Sequence, residues 1–379
     1  MKIMIGADLA PTVLNFELFE RGDVTTLLGE ELYQTLHSAD WRIFNLEKPL
    51  TDIQNPIVKW GSCLAAPSKT VNAIKRMKVT LFTLANNHIM DQGVKGLWDT
   101  CQLLSGNNIA YVGAGNTKKE ACKPYILEKD GIKVGIYACA EHEFSIAEDE
   151  KPGANPFDPL ESPDHVANLK NQCDHVIVLY HGGKEHYRYP SPILQRVCRK
   201  FIEKGADLII TQHSHCIGAM ENYQGKIIVY GQGNFLYAVN NKSGCWNEGL
   251  LIGVEVDKQD LKIEFYPIVR TEKGVRLARG EEKENVLADF AARSEEIKDE
   301  KIVKRKYDAL ADEMLIGYES AMLGNIGKSF PFCVMNKISG YRVINKIFSG
   351  KSIVALYNAL TCEAHYDLLV TGIKKRMTG

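Results

Sequence analysis

Apolar, β-branched runs recur along this chain, and polar or turn-forming residues close each one: "KIMIGA" from Lys2, "WRIFNLE" from Trp41, "VTLFTLA" from Val79, "HVIVLYHG" from His175, "DLIITQH" from Asp207 and "KIIVYGQGNF" from Lys226. Runs that are apolar at consecutive positions, not only at alternate ones, are expected of strands covered on both faces, as in a layered α/β domain. Between them, Leu194, Val197, Phe201 and Ile202 share one face of a helix predicted over Ile193 to Lys204, with Gly205 placed to end it. A second helix is predicted from about Val94 to Ser105. The segments "YILEKDGIKVGIYA", turning at Asp130-Gly131, and "LLIGVEVDKQDLKIEFYPIV", turning over Lys258 to Asp260, read as antiparallel hairpins, so the sheets should be mixed. Near Gly280 the texture shifts to strong helix formers with alternating charge. The expected division is therefore a main domain over 1–280 and a helical region over 285–379, which would serve as a helical subdomain, a dimer surface or a lid.

Composition narrows the function classes. The 379 residues are 45% hydrophobic and 25% charged, enough for one large core and a smaller domain. A formal net charge of −1 gives no overall basic field that would single out nucleic acid or an anionic membrane as the main partner, so any charge that matters is local. The start "MKIMIGADLAPT" breaks at Asp8, too early for a signal peptide, and no stretch approaches the ~20 apolar residues of a spanning helix. A cytoplasmic protein without a transmembrane segment is expected. The ten cysteines are scattered with no CxxC pair, which fits reduced, buried thiols.

The polar residues that close the strands carry the candidate chemistry. Asp8 follows the first run, Asn45 and Glu47 close the second, and Asn86, Asn87 and His88 end the third; His181 follows "VIVLY", and His213 with His215 follow "DLIITQ". In open α/β sheets the C-terminal strand edges face a common crevice, so residues far apart in the chain can converge there. Carboxylates, imidazoles and a carboxamide without thiolates suit Mn, Fe or Zn. Two histidines at i and i+2 can approach two neighbouring ions, and Glu47 can bridge them. Such a pair lowers the pKa of a bridging water and clamps both oxygens of a displacement at phosphorus, which predicts a hydrolase. One histidine at a strand end is more often a hydrogen-bonded surface residue; recurrence along one edge reverses those odds. His37, His142, His165, His175, His186 and His365 lack the pattern, and Cys216 reads as a buried neutral thiol.

The ordered set "GADLAPT … NLEKPLTD … LANNHIMDQG … HGGKEHYRYPSP … GADLIITQHSHCIG … IVYGQGNFLY" resembles the CapA family of capsule and poly-γ-glutamate biosynthesis proteins, a branch of the calcineurin-like metallophosphoesterases. The resemblance covers roughly Met1 to Val269. It implies a four-layered α/β/β/α sandwich with two divalent metals at the strand ends, followed here by the C-terminal helical extension. Carried over position by position, Asp8 and His215 would bind one metal, Asn87, His181 and His213 the other, and Glu47 would bridge. His88 resembles the superfamily's catalytic histidine. Two departures stand out: Ala10 occupies the place of a second ligand in the first motif, and Ile89, not an acid, follows His88. Asp91 either orients His88 or caps the next helix.

Substrate contacts are expected from Asn45, from Glu141, Glu143, Asn155 and Pro156 in the loop after "IYACA", from Lys184, Glu185 and Arg188 beside Gly182-Gly183, and from Asn234, which could instead buttress the histidine loop. The resemblance implies a phosphoesterase-like hydrolase acting on a phosphorylated, glutamyl or polysaccharide-related substrate, with no nucleic acid partner. Alternatives are hydrolysis or transfer at γ-glutamyl amides, or a non-catalytic assembly factor. In either case a second copy or a biosynthetic complex could dock on the C-terminal helices.

Overall fold

The computed structural model describes residues 1–240 and 244–378, which divide into two compact units, Met1–Lys304 and Arg305–Gly379. In the first unit an eight-stranded sheet has the parallel strands Lys2–Leu9, Trp41–Leu46, Leu81–Thr83 and Ala110–Val112 on one side and the antiparallel strands Glu248–Val256, Leu261–Arg270 and Val275–Leu277 on the other, with the short strand Asn234–Leu236 pairing parallel to Lys2–Leu9. A six-stranded sheet holds the parallel strands Ile132–Ala140, His175–His181, Leu208–Gln212 and Lys226–Gln232, with Tyr125–Lys129 and Ile217–Tyr223 antiparallel at its edges.

Alternation along the strands builds the layers. Ile3 and Ile5 point to one side, where with Ile43, Ile177 and Ile210 they fill the space between the two sheets. Met4, Phe44 and Phe82 point to the other side, against Leu28 and Leu32 of the helix Val24–His37 and Leu97 of Gly93–Gly106. The outer face of the second sheet is covered by Ser162–Lys170 and Pro192–Glu203 through Leu169, Leu194 and Phe201. The result is the four-layered α/β/β/α sandwich, and it explains the consecutive apolar runs, since each central strand is buried on both faces.

Local signals match their elements. Ser191 caps Pro192–Glu203 by accepting from the Leu194 N–H at 3.0 Å. The hairpin turn has Asp130 at φ 54° and Gly131 at φ 73°, the paired positive values of a two-residue turn. The second hairpin turns where Asp257 accepts from the N–H groups of Gln259 and Asp260.

The unit boundary differs from the compositional one. A helix does start at Glu281, but Glu281–Glu296 inserts Val286 and Phe290 into the inter-sheet core, so the first unit runs on to Lys304. Composition registers the change of secondary structure, whereas burial decides which unit a helix joins. The second unit holds short helices, among them Phe330–Ile338, Arg342–Ile347, Lys351–Thr361 and Glu363–Thr378.

Candidate metal centre

Parallel register brings the strand-end residues together. Asp8 lies opposite Asn45 on one side and Asn234 on the other, and His181 lies opposite Gln212, the residue before His213. Two groups of donor atoms, each within 4.8 Å of one another, result: Glu47, His181 and His213, and Asp8, Glu47 and His215. Glu47 belongs to both. Asn87 joins the first group, its Oδ1 3.1 Å from His181 Nε2, and Asn234 Oδ1 lies 2.9 Å from His215 Nδ1 in the second.

Backbone geometry aims the histidines. His213 and His215 take φ values of 84° and 54°, the left-handed region that costs a non-glycine residue of order 1 kcal/mol or more and clusters at functional sites. Gly231 makes room for this loop: a Cβ there would stand 2.8 Å from the Cys216 carbonyl oxygen and from Ser214 Oγ. Cys216 itself is buried and free.

The donor set is poorly satisfied by the protein. Asp8 Oδ2, both Glu47 carboxylate oxygens and His213 Nδ1 are buried without a hydrogen bond among the described residues. His215 approaches Asp8 Oδ2 at 3.3 Å and Glu47 Oε1 at 3.5 Å. Burial, then Asp8, pushes the Glu47 carboxyl well up. Burial and the neighbouring imidazoles hold His181 well below the usual histidine range and lower His213 to about 3, so both are neutral donors. Burial opposes charging of His215 too, but Glu47 and Asp8 override it and raise it to about 9. An uncompensated buried carboxylate costs several kcal/mol. Orphaned oxygens facing neutral imidazoles and a carboxamide therefore fit a divalent cation.

His88 stands beside this cluster, near enough to disfavour charge on His181 and His213. Its Nδ1 is 2.6 Å from Asp91 Oδ2. Asp91 thus orients His88; it does not cap the following helix, whose N-cap position is Gln92 with no side-chain cap. Sequence reasoning missed the third member, Lys59. Its buried ammonium donates to Asp91 Oδ1 at 2.6 Å and to the Asn87 carbonyl at 3.2 Å. No periodicity or spacing marks it; the only signal is a lone cation in "PIVKWGS". Lys48 was also missed. It is buried, held over the Tyr237 ring at 5.3 Å, and its charge is disfavoured by burial to a pKa of about 8, despite Glu47 and Asp91.

The expected substrate residues separate. Asn45 is fully buried and not a substrate contact: its Nδ2 donates to Asp8 Oδ1 at 2.8 Å and lies 3.3 Å from His181 Nδ1, while its Oδ1 accepts from Asn86 Nδ2 at 2.9 Å. Asn86 is thereby a support for the turn, also accepting the His88 N–H. Asn155 is likewise buried, donating to the Ala138 carbonyl at 2.7 Å to tie its loop to the sheet, and Pro156 bridges to Ala140. Arg188 pairs with Glu248 at 3.2 Å. Glu141 accepts the Gly183 N–H at 2.9 Å and braces the glycine loop. Glu143 reaches the cluster, accepting from Asn87 Nδ2 at 3.2 Å with Oε1 3.8 Å from His213 Nε2. Lys184 and Glu185 are exposed beside it.

Fold and site together define a two-sheet α/β protein with a polyvalent donor cluster at the C-terminal strand edges. Residues 7–238 match the family described as bacterial capsule synthesis protein PGA_cap, a span that contains every donor named above, and the chain belongs to this family. It is 31% identical over 180 residues to the capsule biosynthesis protein CapA of Bacillus anthracis, covering 46% of this chain and 44% of that one. It is 29% identical over 204 residues to the PGA biosynthesis protein CapA of Bacillus subtilis (strain 168), covering 53% and 54%. The chain spans about half the length of the curated relatives it matches. Among solved structures, a novel phosphatase of Mycoplasma pneumoniae is similar over 71% of this chain and 93% of that one, with 14% identity and a TM-score of 0.44. No helix among the described residues is long and apolar enough to cross a membrane.

Proposed function

We propose that this chain is a divalent-metal-dependent hydrolase of phosphate esters that serves capsule or poly-γ-glutamate production. The observation that carries the reading is Glu47, a fully buried carboxylate shared by both donor groups with neither oxygen hydrogen-bonded among the described residues. Two divalent cations held there would supply an acidified water and positive charge at the phosphoryl oxygens. Asp8, Glu47 and His215 would hold one cation, and Glu47, His181, His213 and Asn87 the other, with Asn45 and Asn234 fixing the orientation of the donors. Asp91 occupies Nδ1 of His88, which leaves Nε2 to hydrogen-bond or protonate the departing oxygen. The Lys48 ammonium, without a hydrogen bond or ion pair among the described residues, would meet the negative charge of the substrate.

The test uses the full chain with added Mn²⁺. Metal analysis is expected to find two equivalents, and hydrolysis of a generic aryl phosphate is expected to vanish together with the metal in Glu47→Ala and His213→Ala. Survival of both in these variants would sink the reading. The B. subtilis relative is named for PGA biosynthesis, so γ-glutamyl peptides belong in a parallel assay. Cleavage of those peptides with no action on phosphate esters would keep the metals and move the bond to an amide.

A further inference from the structure

The second unit inverts the usual distribution of apolar surface. Of the 26 exposed large hydrophobic residues among those described, 19 lie in Arg305–Gly379, whereas only Phe332 and Ile344 of the buried hydrophobic residues do. Helix Lys351–Thr361 (KSIVALYNALT) is mostly apolar yet has no buried residue. Phe330 and Ile338, at the two ends of Phe330–Ile338, are 80% and 83% exposed, and Leu368 in the last helix is 74% exposed. Exposure on this scale is unusual for a folded domain and marks a surface that something covers.

Charge identifies what covers it. The unit Arg305–Gly379 carries a net charge of +4 in a chain whose total is −1, and its residues 323–379, with eight Lys and Arg against two acidic residues, carry +6. The balanced total conceals a basic, apolar tail. A second copy would bring the same positive charge to the interface, so self-association is disfavoured. A partner that offers both negative charge and an apolar interior is a lipid surface rich in anionic headgroups, the combination that amphipathic interfacial helices recognise. The helices are suited to lying flat on such a surface. They are short, they are broken at Gly340 and Gly350, both at positive φ, and none is able to span a bilayer.

We propose that the helices of residues 323–378 form a peripheral docking surface for anionic lipid membranes, with Phe330, Ile338, Val354 and Leu368 entering the headgroup region and Lys337, Arg342, Lys346 and Lys351 neutralising the headgroups. This goes beyond the hydrolase reading and does not depend on it, since vesicle binding needs no metal.

The experiment is co-sedimentation of the full chain with vesicles of phosphatidylcholine alone and with one part in three of phosphatidylglycerol. Binding is expected only to the anionic vesicles, falling steeply at high salt. It is expected to weaken about tenfold or more in Lys337→Glu/Lys346→Glu/Lys351→Glu, and likewise in Ile338→Ser/Val354→Ser, all at exposed positions. Equal binding to neutral vesicles, no binding to either kind, or a dimer in sedimentation that the serine variants dissociate would each overturn the proposal.

Discussion

Two buried carboxylates of the double sheet, at opposite ends of its parallel strands, are treated in opposite ways. Asp207, just ahead of strand Leu208–Gln212, is 6% exposed and fully provided for: its oxygens accept from Lys226 Nζ at 2.6 Å, Lys170 Nζ at 2.7 Å and the Val176 N–H at 2.9 Å. Glu47, just past the C-terminal end of Trp41–Leu46, is fully buried and has no hydrogen bond on either oxygen among the described residues. Where the fold uses a carboxylate for structure, it supplies the cations itself. At the other end neither Glu47 oxygen has a hydrogen bond among the described residues, and in the proposed function a bound cation would supply the remaining positive charge. The comparison separates a stabilising ion cluster from a site that is destabilised until it is filled.

Glu47→Gln gives the largest contrast. Metal binding and hydrolysis should be lost entirely, while the metal-free variant should be as stable as the metal-free parent or more so, by on the order of 1 kcal/mol, because a buried charge has been removed. Calorimetry of both chains after chelation reads this out. A variant that melts well below its parent would mean that Glu47 is structural after all, as Asp207 is.

His88→Gln sharpens the boundary between holding metal and using it. Hydrolysis is expected to fall about 10²- to 10⁴-fold with metal content unchanged, because His88 is in neither donor group. Loss of metal in this variant would instead make it a ligand. Lys59→Met tests whether the donor-cluster end also contains a pair of the structural kind. It strips the cation from fully buried Asp91, and a broken buried pair costs about 3–5 kcal/mol. Adding Asp91→Asn should recover part of that stability but not the activity, since His88 would lose its orienting carboxylate. Equal stability of the single and double variants would show that the pair is not coupled.

How far the sequence reveals these differences depends on the range of the interaction. The strand ends were legible because a run of apolar residues sets where each strand stops, and parallel pairing aligns those stops at one edge. That logic reaches Asp8, Glu47, His181, His213 and His215 with no knowledge of their contacts. It fails for Asn45, whose side-chain donor and acceptor are both engaged inside the protein, and for Asn155, whose buried amide donates to the Ala138 carbonyl, although both look like cleft residues by position. It fails for Lys59 as well, which sits in an irregular segment and whose partner is 32 residues away, beyond a helix and a strand. Orienting and capping are both open to Asp91 in the sequence because the spacing does not fix where the helix starts; the structure puts the N-cap position one residue later, at Gln92, and Asp91 on His88 Nδ1. The boundary at 280 was misjudged for a related reason: helix propensity shows that a helix forms, not that Val286 and Phe290 pack between sheets.

The smallest effect belongs to the structural end, and pH gives it a sign. Burial disfavours the Asp207 charge, but Lys170, Lys226 and the Val176 N–H more than offset this and hold its carboxyl below the ordinary value. A carboxyl with a lowered folded-state pKa adds stability that is complete above its unfolded pKa of about 4 and drains away as pH falls through the folded value. Asp207→Asn should therefore cost about 1–3 kcal/mol at pH 7, with the gap to the parent chain closing as pH drops below about 4. Denaturant midpoints of the two metal-free chains at pH 7 and pH 3 measure it. A gap that stays constant across that range would trace the loss to the geometry of the hydrogen bonds alone, and would remove charge as the reason the two ends of the sheet behave differently.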